Sequence, residues 1–201
     1  MVKTQVSYTN RKGVTYTLYR GQTRTGKPRY HFGRPGQGQG EPVTELPPGF
    51  TICESVNGVV SLDKARPVLI LPEEVAAVEA AVQQHPEAHR YRVAVKGNRI
   101  EVYEQIGPDY NAVVSELHIP GLSRPGLAEE LRALEERHAH YTPVLRFTLR
   151  DPKQRRFGSE RMCYLGSIDG WLELHGHTGS VAKLARALIP TLGTEQFFEL
   201  W

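Results

Sequence analysis

Three cations beside a turn near the N-terminus have the chemistry of a phosphate-binding site. Residues 21–28 (GQTRTGKP) contain two glycines, a proline and two of these cations, and the third follows directly. Nucleic-acid backbones are bound by several cations on a common surface, since each neutralised phosphate releases counterions. The candidate contacts are Arg24, Lys27 and Arg29, with Lys12 and Arg20 as secondary contacts. The competing interpretation is that turns are simply polar and that basic turns are common.

Aromatic residues flank the turn on both sides. Tyr16 and Tyr19 precede it, and Tyr30 and Phe32 follow it. Their rings could stack on unpaired bases, and a two-stranded ribbon also fits into a major groove. However, tyrosines at a period of two usually face a protein core. Both interpretations stay open.

Two histidine pairs have the i, i+2 spacing that could chelate a metal on an extended strand. They are His138 with His140 and His175 with His177. The first pair lies at a predicted helix end, where this spacing directs the rings apart. No third ligand has a diagnostic spacing, so we predict structural roles for these histidines and no metal.

Nucleophilic catalysis has weaker support. Cys163 lies in an apolar segment typical of a buried thiol, and Ser167 with Asp169 could form a triad with the second histidine pair only by fold geometry. The only other cysteine is Cys53, so a cysteine zinc site is excluded by count and two inert thiols are expected. The chain has no glycine-rich phosphate loop ending in Gly-Lys-Ser/Thr. A metal-dependent hydrolase that uses His175, His177 and Asp169 is therefore the least favoured class.

The basic turn is positioned by two predicted strands. Residues 14–19 (VTYTLY) have the period-two pattern of β-branched and aromatic residues that is typical of a strand, and residues 30–32 (YHF) have strand composition again. Together they predict a β-hairpin with a basic tip. The turn chemistry of residues 10–13 predicts a further antiparallel strand at residues 5–9. The glycine-rich residues 33–42 predict a flexible loop.

A second hairpin is predicted after that loop. Asn57 and Gly58 form a strong turn signal within residues 46–64. We expect this hairpin to complete the N-terminal sheet.

The rest of the chain mixes hairpins and helices. Pro72 and two glutamates predict a helix start, with valines at helical spacing to about His85. Residues 91–104 predict another hairpin, and strands are expected at residues 145–150, 161–165 and 171–175. Further helices are predicted at residues 123–138 and 180–190. The C-terminal residues expected to pack onto the body are Phe197, Leu200 and Trp201.

Positive charge is concentrated near the N-terminus. The 201 residues have a net charge of +3, but residues 1–50 hold eight Lys and Arg against Glu41 and Glu45, while the rest hold 17 against 20 acidic residues. This bias favours a polyanionic partner. No apolar run approaches the ~18 residues that span a bilayer, and the start lacks the apolar core of a secretory signal. We therefore expect no membrane contact and a cytoplasmic location.

Residues 8–30, YTNRKGVTYTLYRGQTRTGKPRY, resemble the openings of a family of uncharacterised bacterial proteins. The resemblance is limited to the N-terminal quarter of the chain. It implies no activity and no site residue, so the functional hypothesis depends on the residues themselves.

Together these patterns predict an α+β fold in which antiparallel hairpins outnumber about three helices. We divide the chain into a basic β-rich module, residues 1–66, and an α+β domain, residues 67–201. The functional hypothesis is a non-catalytic binding or adaptor protein, without a cofactor, that contacts nucleic acid through the basic hairpin. The alternative is an interaction subunit whose basic face binds an acidic partner protein.

Overall fold

The computed structural model describes residues 4–107, 137–165 and 168–199, without the side chains of Leu165, Ile168 and Asp169. Three sequence predictions lie outside the described residues: most of the helix at 123–138, the role of Ser167, and the packing of Leu200 and Trp201.

The chain divides into two compact units. Unit 1 comprises Met1–Ala65 and Gly107–His140, and unit 2 comprises Arg66–Ile106 and Tyr141–Trp201. The first crossing between the units therefore follows Ala65, and unit 2 is interrupted by residues 107–140.

The described residues of unit 1 up to Ala65 form short strands. They are β1 (Ser7–Thr9), β2 (Thr15–Gln22), β3 (Pro28–Gly33), β4 (Glu41–Pro42), β5 (Phe50–Glu54) and β6 (Val60–Lys64). The strand β2 pairs antiparallel with β1, β3 and β4, so the hairpin predicted around the basic turn is confirmed. Thr17, Leu18 and Tyr19 of this strand are all buried, and Leu18 is 0 % exposed.

The hairpin of β5 and β6 forms as predicted, with Gly58 at a positive φ of 75° in its turn. The expectation that it completes the N-terminal sheet is wrong, because it forms a separate two-stranded sheet. It is held to the first sheet by side chains instead of backbone pairing. The Tyr8 hydroxyl donates to Glu54 Oε2 at 2.9 Å, and Asn10 Nδ2 donates to the Gly58 carbonyl at 2.6 Å.

Unit 2 contains a five-stranded sheet in the order β11-β10-β9-β8-β7. Its strands are β7 (Tyr91–Lys96), β8 (Arg99–Ile106), β9 (His140–Asp151), β10 (Arg156–Leu165) and β11 (Ile168–Gly179). Its helices are α1 (Pro72–Gln83), α2 (Val181–Leu188) and α3 (Glu195–Glu199), with 3-10 turns at Ala88–Arg90 and Ile189–Thr191. The α+β prediction is confirmed, with α3 as a helix that the sequence did not predict.

Helix α1 begins where the sequence predicts it. Pro72 occupies the first turn, and Glu74 Oε2 accepts a hydrogen bond from the Leu71 N–H at 2.8 Å, which satisfies a free helix donor. Its buried face, Val78, Ala81 and Val82, packs into the core of unit 2. No helix within the described ranges is long and apolar enough to cross a membrane.

One face of the unit 2 sheet supplies its core. Leu145, Phe147 and Leu149 are at most 4 % exposed and pack with the apolar faces of the helices, including Phe197 of α3. The intervening residues of β9 point to the opposite face. This alternation was predicted from the sequence.

Tyr91→Phe is expected to leave stability at neutral pH unchanged or to raise it. Tyr91 is 2 % exposed, and among the described residues its hydroxyl makes no well-formed hydrogen bond, so the substitution breaks at most a weak contact with Glu104. Burial, together with the charge of Glu104, raises the pKa of Tyr91 from 10.0 to about 12. The associated stabilisation is complete below pH 10 and is lost as the pH rises towards 12, so the variant should lose less stability over that range. Urea unfolding at neutral and alkaline pH measures both effects.

Tyr103→Phe is the matched control for this prediction. The Tyr103 hydroxyl donates to Glu101 and accepts from Lys96, so its removal is expected to cost about 1–3 kcal/mol at neutral pH. An equal cost for the two substitutions would contradict the prediction for Tyr91.

Candidate nucleic-acid interface

The basic tip is a closed turn between β2 and β3. The Thr23 N–H donates to the Lys27 carbonyl at 2.8 Å, and the Gly26 N–H donates to the Thr23 carbonyl at 2.9 Å. The Thr23 side chain accepts a further bond from the Lys27 N–H at 3.1 Å. Gly26 has a φ of 77°, which is the left-handed conformation that this hairpin turn requires. The backbone that carries the tip cations is therefore fixed by its own hydrogen bonds.

The tip cations are exposed, and the described part of the chain supplies no counter-charge to them. Arg24, Lys27 and Arg29 are all exposed, as is Arg20 on β2. Among the described residues, none of these four side chains forms an ion pair. Their charges are therefore available to a polyanion.

Strand register places these cations on both faces of the ribbon. Arg20 pairs with Tyr30, and Arg29 pairs with Gly21. Because directly opposed residues share a face and successive residues alternate, Arg20 and Arg29 lie on opposite faces. Arg24 and Lys27 lie in the turn that joins them.

Lys12 is not part of the tip cluster. It lies in the turn between β1 and β2, whereas the tip lies at the other end of β2, roughly 26 Å away at about 3.3 Å per residue. Its N–H donates to Asn10 Oδ1 at 3.0 Å, and its side chain lies near Gly58. The structure thus brings four of the five candidate cations to one end of the sheet.

The tyrosines beside the tip are used inside unit 1. The Tyr19 ring is 6 % exposed and stacks on His31 at a centroid distance of 5.9 Å. The Tyr30 ring lies 6.4 Å from that of Phe50. Tyr16 and Phe32 are half-buried. The geometry therefore favours the core interpretation of these rings over base stacking.

The glycine-rich segment after β3 is folded over Tyr19. The Gly36 N–H donates to the Tyr19 hydroxyl at 3.1 Å, and a Cβ at Gly38 would lie 2.1 Å from two ring carbons of Tyr19. The segment then enters β4, where Glu41 pairs with Arg20. The sequence predicted a flexible loop here. The contact with Tyr19 could not be foreseen, because glycine composition does not distinguish a flexible segment from a closely packed one.

A groove of about 470 Å³ lies beside the tip. Its lining residues are Arg20, Gly21, Gln22, Gly26, Pro28, Gly40 and Glu41. This groove was not predicted from the sequence, because it depends on the pairing of β4 with β2.

A second basic turn, in unit 2, contains an arginine whose charge is neutralised by a carboxylate of the same unit. Arg155, between β9 and β10, donates through Nε to Glu74 Oε1 at 2.8 Å and through Nη2 to the Leu69 carbonyl at 3.0 Å. These bonds to Glu74 raise the pKa of Arg155. The charge of Arg155 is therefore neutralised by Glu74 in the first turn of α1, whereas the tip cations of unit 1 have no such partner among the described residues.

The other sequence candidates do not form a reaction centre in the described residues. No group of three or more His, Cys, Asp and Glu side chains is placed to hold a metal in that part of the chain. Gly176, at a φ of 81°, separates His175 from His177 and interrupts the regular alternation of β11. Cys53 and Cys163 are half-buried and form no disulfide, and burial raises the pKa of the Cys53 thiol.

An ion-pair cluster that was not predicted from the sequence lies on the second face of the unit 2 sheet. Arg146 binds Glu160 with two hydrogen bonds, Nε to Oε2 at 2.8 Å and Nη2 to Oε1 at 2.7 Å. Thr148 donates to Glu160 Oε2 at 2.7 Å, and the Arg146 guanidinium lies 4.2 Å from the Trp171 ring centroid. The Arg146 hydrogen bonds, with smaller help from Thr148 and against burial, lower the pKa of Glu160. A carboxylate held charged in this way stabilises the sheet and is poorly suited to proton transfer.

No protein-family model, curated protein or solved structure matches this chain. The function is therefore inferred from the geometry of the site.

Proposed function

We propose that this protein is a non-catalytic nucleic-acid-binding protein that holds phosphates with its basic hairpin tip. Arg24, Lys27 and Arg29 are the principal contacts, and Arg20 is a secondary contact. The supporting observation is that all four cations are exposed on one ordered ribbon and, among the described residues, have no carboxylate partner. Lys12 lies beyond the opposite end of β2, too far from the tip cations to share a phosphate with them.

The binding free energy in this proposal comes mainly from counterion release. Each phosphate that a cation neutralises releases condensed ions, so affinity falls steeply with salt. The ordered turn reduces the entropy lost on binding, because its backbone is already fixed. The buried Tyr19 and the half-buried Tyr16 and Tyr30 pack within the ribbon and leave the phosphate contacts to the cations.

Arg24→Ala with Lys27→Ala is expected to weaken nucleic-acid binding about tenfold or more at moderate salt. The slope of log affinity against log salt should fall by about 2, since each lost phosphate contact removes about 1. Filter binding of single-stranded and duplex DNA over a salt series measures both quantities. Binding that is absent, or insensitive to salt and to this double substitution, would overturn the proposal.

The matched control is Lys153→Ala with Arg156→Ala. These residues are also exposed cations at a hairpin turn, but in unit 2, and the change in net charge is identical. We expect this variant to keep the full salt slope, apart from a small effect of overall charge. An equal loss in both variants would mean that only net charge matters.

An acidic partner protein is the alternative occupant of the same cations. Competition distinguishes the two occupants, since a protein that binds the tip and is not displaced by DNA or RNA supports the alternative.

A further inference from the structure

The groove beside the tip combines a basic and an acidic wall. Arg20 and Gln22 lie on its floor strand, and their directly paired neighbours Glu41 and Pro28 lie on either side of it. Because opposed residues share a face, all four side chains lie on one face of the sheet. The volume of about 470 Å³ is within the range of roughly 300–1,000 Å³ typical of ligand sites.

Arg20 and Glu41 are cross-strand neighbours that do not bond to each other. Both are exposed, and within the described part of the chain neither takes part in an ion pair. Opposed charges in this position usually pair. A ligand that has both an acceptor and donors can instead bind the two groups together.

The carboxylate decides which part of a nucleic acid enters the groove. Glu41 disfavours a phosphate by charge repulsion, whereas Arg24 and Lys27 at the adjacent tip favour one. A single strand whose backbone lies on the tip therefore has to present a neutral base to the groove. Pro28 offers this base an apolar wall.

We propose that the groove binds a guanine base, an inference that depends on the proposed nucleic-acid function. The base-pairing edge of guanine carries the O6 acceptor beside the N1–H and N2–H donors. The two oxygens of Glu41 can accept both donors while Arg20 donates to O6. The other bases do not offer two adjacent donors to one carboxylate. Arg20 and Glu41 are thus specificity residues, and Arg24 and Lys27 are affinity residues.

The substitution Glu41→Gln tests this inference, because the inference predicts that the preference for guanosine is lost while the affinity for oligothymidine is kept or increased. Fluorescence anisotropy compares a labelled oligothymidine with a strand of equal length in which spaced thymidines are replaced by guanosines. The natural protein should prefer the guanosine strand about tenfold. The variant should lose that preference, yet bind oligothymidine as well or more tightly, since a negative charge beside the tip is removed.

Glu45→Gln is the matched control. Glu45 is an exposed carboxylate of unit 1 that does not line the groove, so the guanosine preference should persist in this variant. A strand with spaced cytidines extends the comparison, and tighter binding of that strand than of the guanosine strand would overturn the assignment of guanine.

The other results separate this inference from the proposed function. If Glu41→Gln strengthens the binding of both strands equally, Glu41 only repels phosphate. If the substitution weakens the binding of both strands equally, the role of Glu41 is to hold β4. Either result overturns the groove assignment. Binding that depends on salt and on Arg24 and Lys27 but shows no base preference overturns the groove alone. No binding of any strand overturns the proposed function.

Discussion

Glu160→Gln is expected to lower the free energy of unfolding by about 3 kcal/mol, because it removes the buried partner of the half-buried Arg146 guanidinium and leaves that cation without its counter-charge. The Arg146 side chain is only 13 % exposed and donates two hydrogen bonds to the Glu160 carboxylate. Thr148 also directs its hydroxyl to the same carboxylate. A neutral amide keeps the shape of the side chain but not the charge. Urea unfolding of the two proteins at neutral pH measures the difference.

Glu173→Gln is the matched control for this substitution. Glu173 pairs with Arg150 at 3.5 Å, but both side chains are 50 % exposed, so solvent screens the pair. The expected cost is below about 1 kcal/mol. A second variant, Arg146→Met with Glu160→Leu, removes both charges and should recover most of the loss, since a buried ion pair is often replaceable by apolar residues. If Glu160→Gln costs no more than Glu173→Gln, the buried pair does not stabilise the sheet as described.

The same carboxylate gives the protein an acid-sensitive component of stability. The folded pKa of Glu160 is lowered from its ordinary value of 4.5, so the unfolded chain takes up the proton first as the pH falls. The stabilisation is present above pH 4.5 and is lost as the pH falls through the folded pKa. Stability of Glu160→Gln should therefore depend less on pH in the acid range than stability of the natural protein.

Local signals in the sequence were sufficient to predict the hairpin tip. Arg24, Lys27 and Gly26 lie within a few residues of each other, and turn chemistry is decided by those residues alone. The separation of Lys12 from the tip also follows from local information, since the length of β2 fixes it. The same is true of the helix start at Pro72.

Features that depend on register between distant segments were not predictable. The sequence shows Arg146 and Thr148 alternating with apolar residues, but their partner Glu160 is identified only by the pairing of β9 with β10. The groove requires the pairing of Glu41 with Arg20 across the glycine-rich segment. Composition does not identify either pairing. A shift of one residue leaves the composition of both strands unchanged, but it changes which residues lie opposite each other and on which face.

Gly38→Ala is expected to destabilise unit 1 by about 3 kcal/mol, because its Cβ would overlap the Tyr19 ring. Two ring carbons lie 2.1 Å from the Cβ position, and the ring cannot easily move, since it stacks on His31 and its hydroxyl is bonded to the Gly36 N–H. The segment must lift, which also displaces β4 and Glu41 at the groove. Urea unfolding and the hydrogen-exchange protection of the Gly36 N–H measure the effect.

Gly36→Ala provides the control for this substitution. A Cβ at Gly36 meets no atom within 4 Å, but its φ of 76° makes the change mildly unfavourable, at about 1 kcal/mol. In a Tyr19→Ala background the extra cost of Gly38→Ala should disappear, because alanine lacks the Cγ and the ring carbons that lie within 2.5 Å of the Gly38 Cβ position. If the cost of Gly38→Ala is the same with Tyr19 and with Ala at that position, backbone conformation and not ring contact accounts for the glycine. A cost that depends on Tyr19 means that this ring, through the glycine-rich segment, positions the acidic wall of the groove.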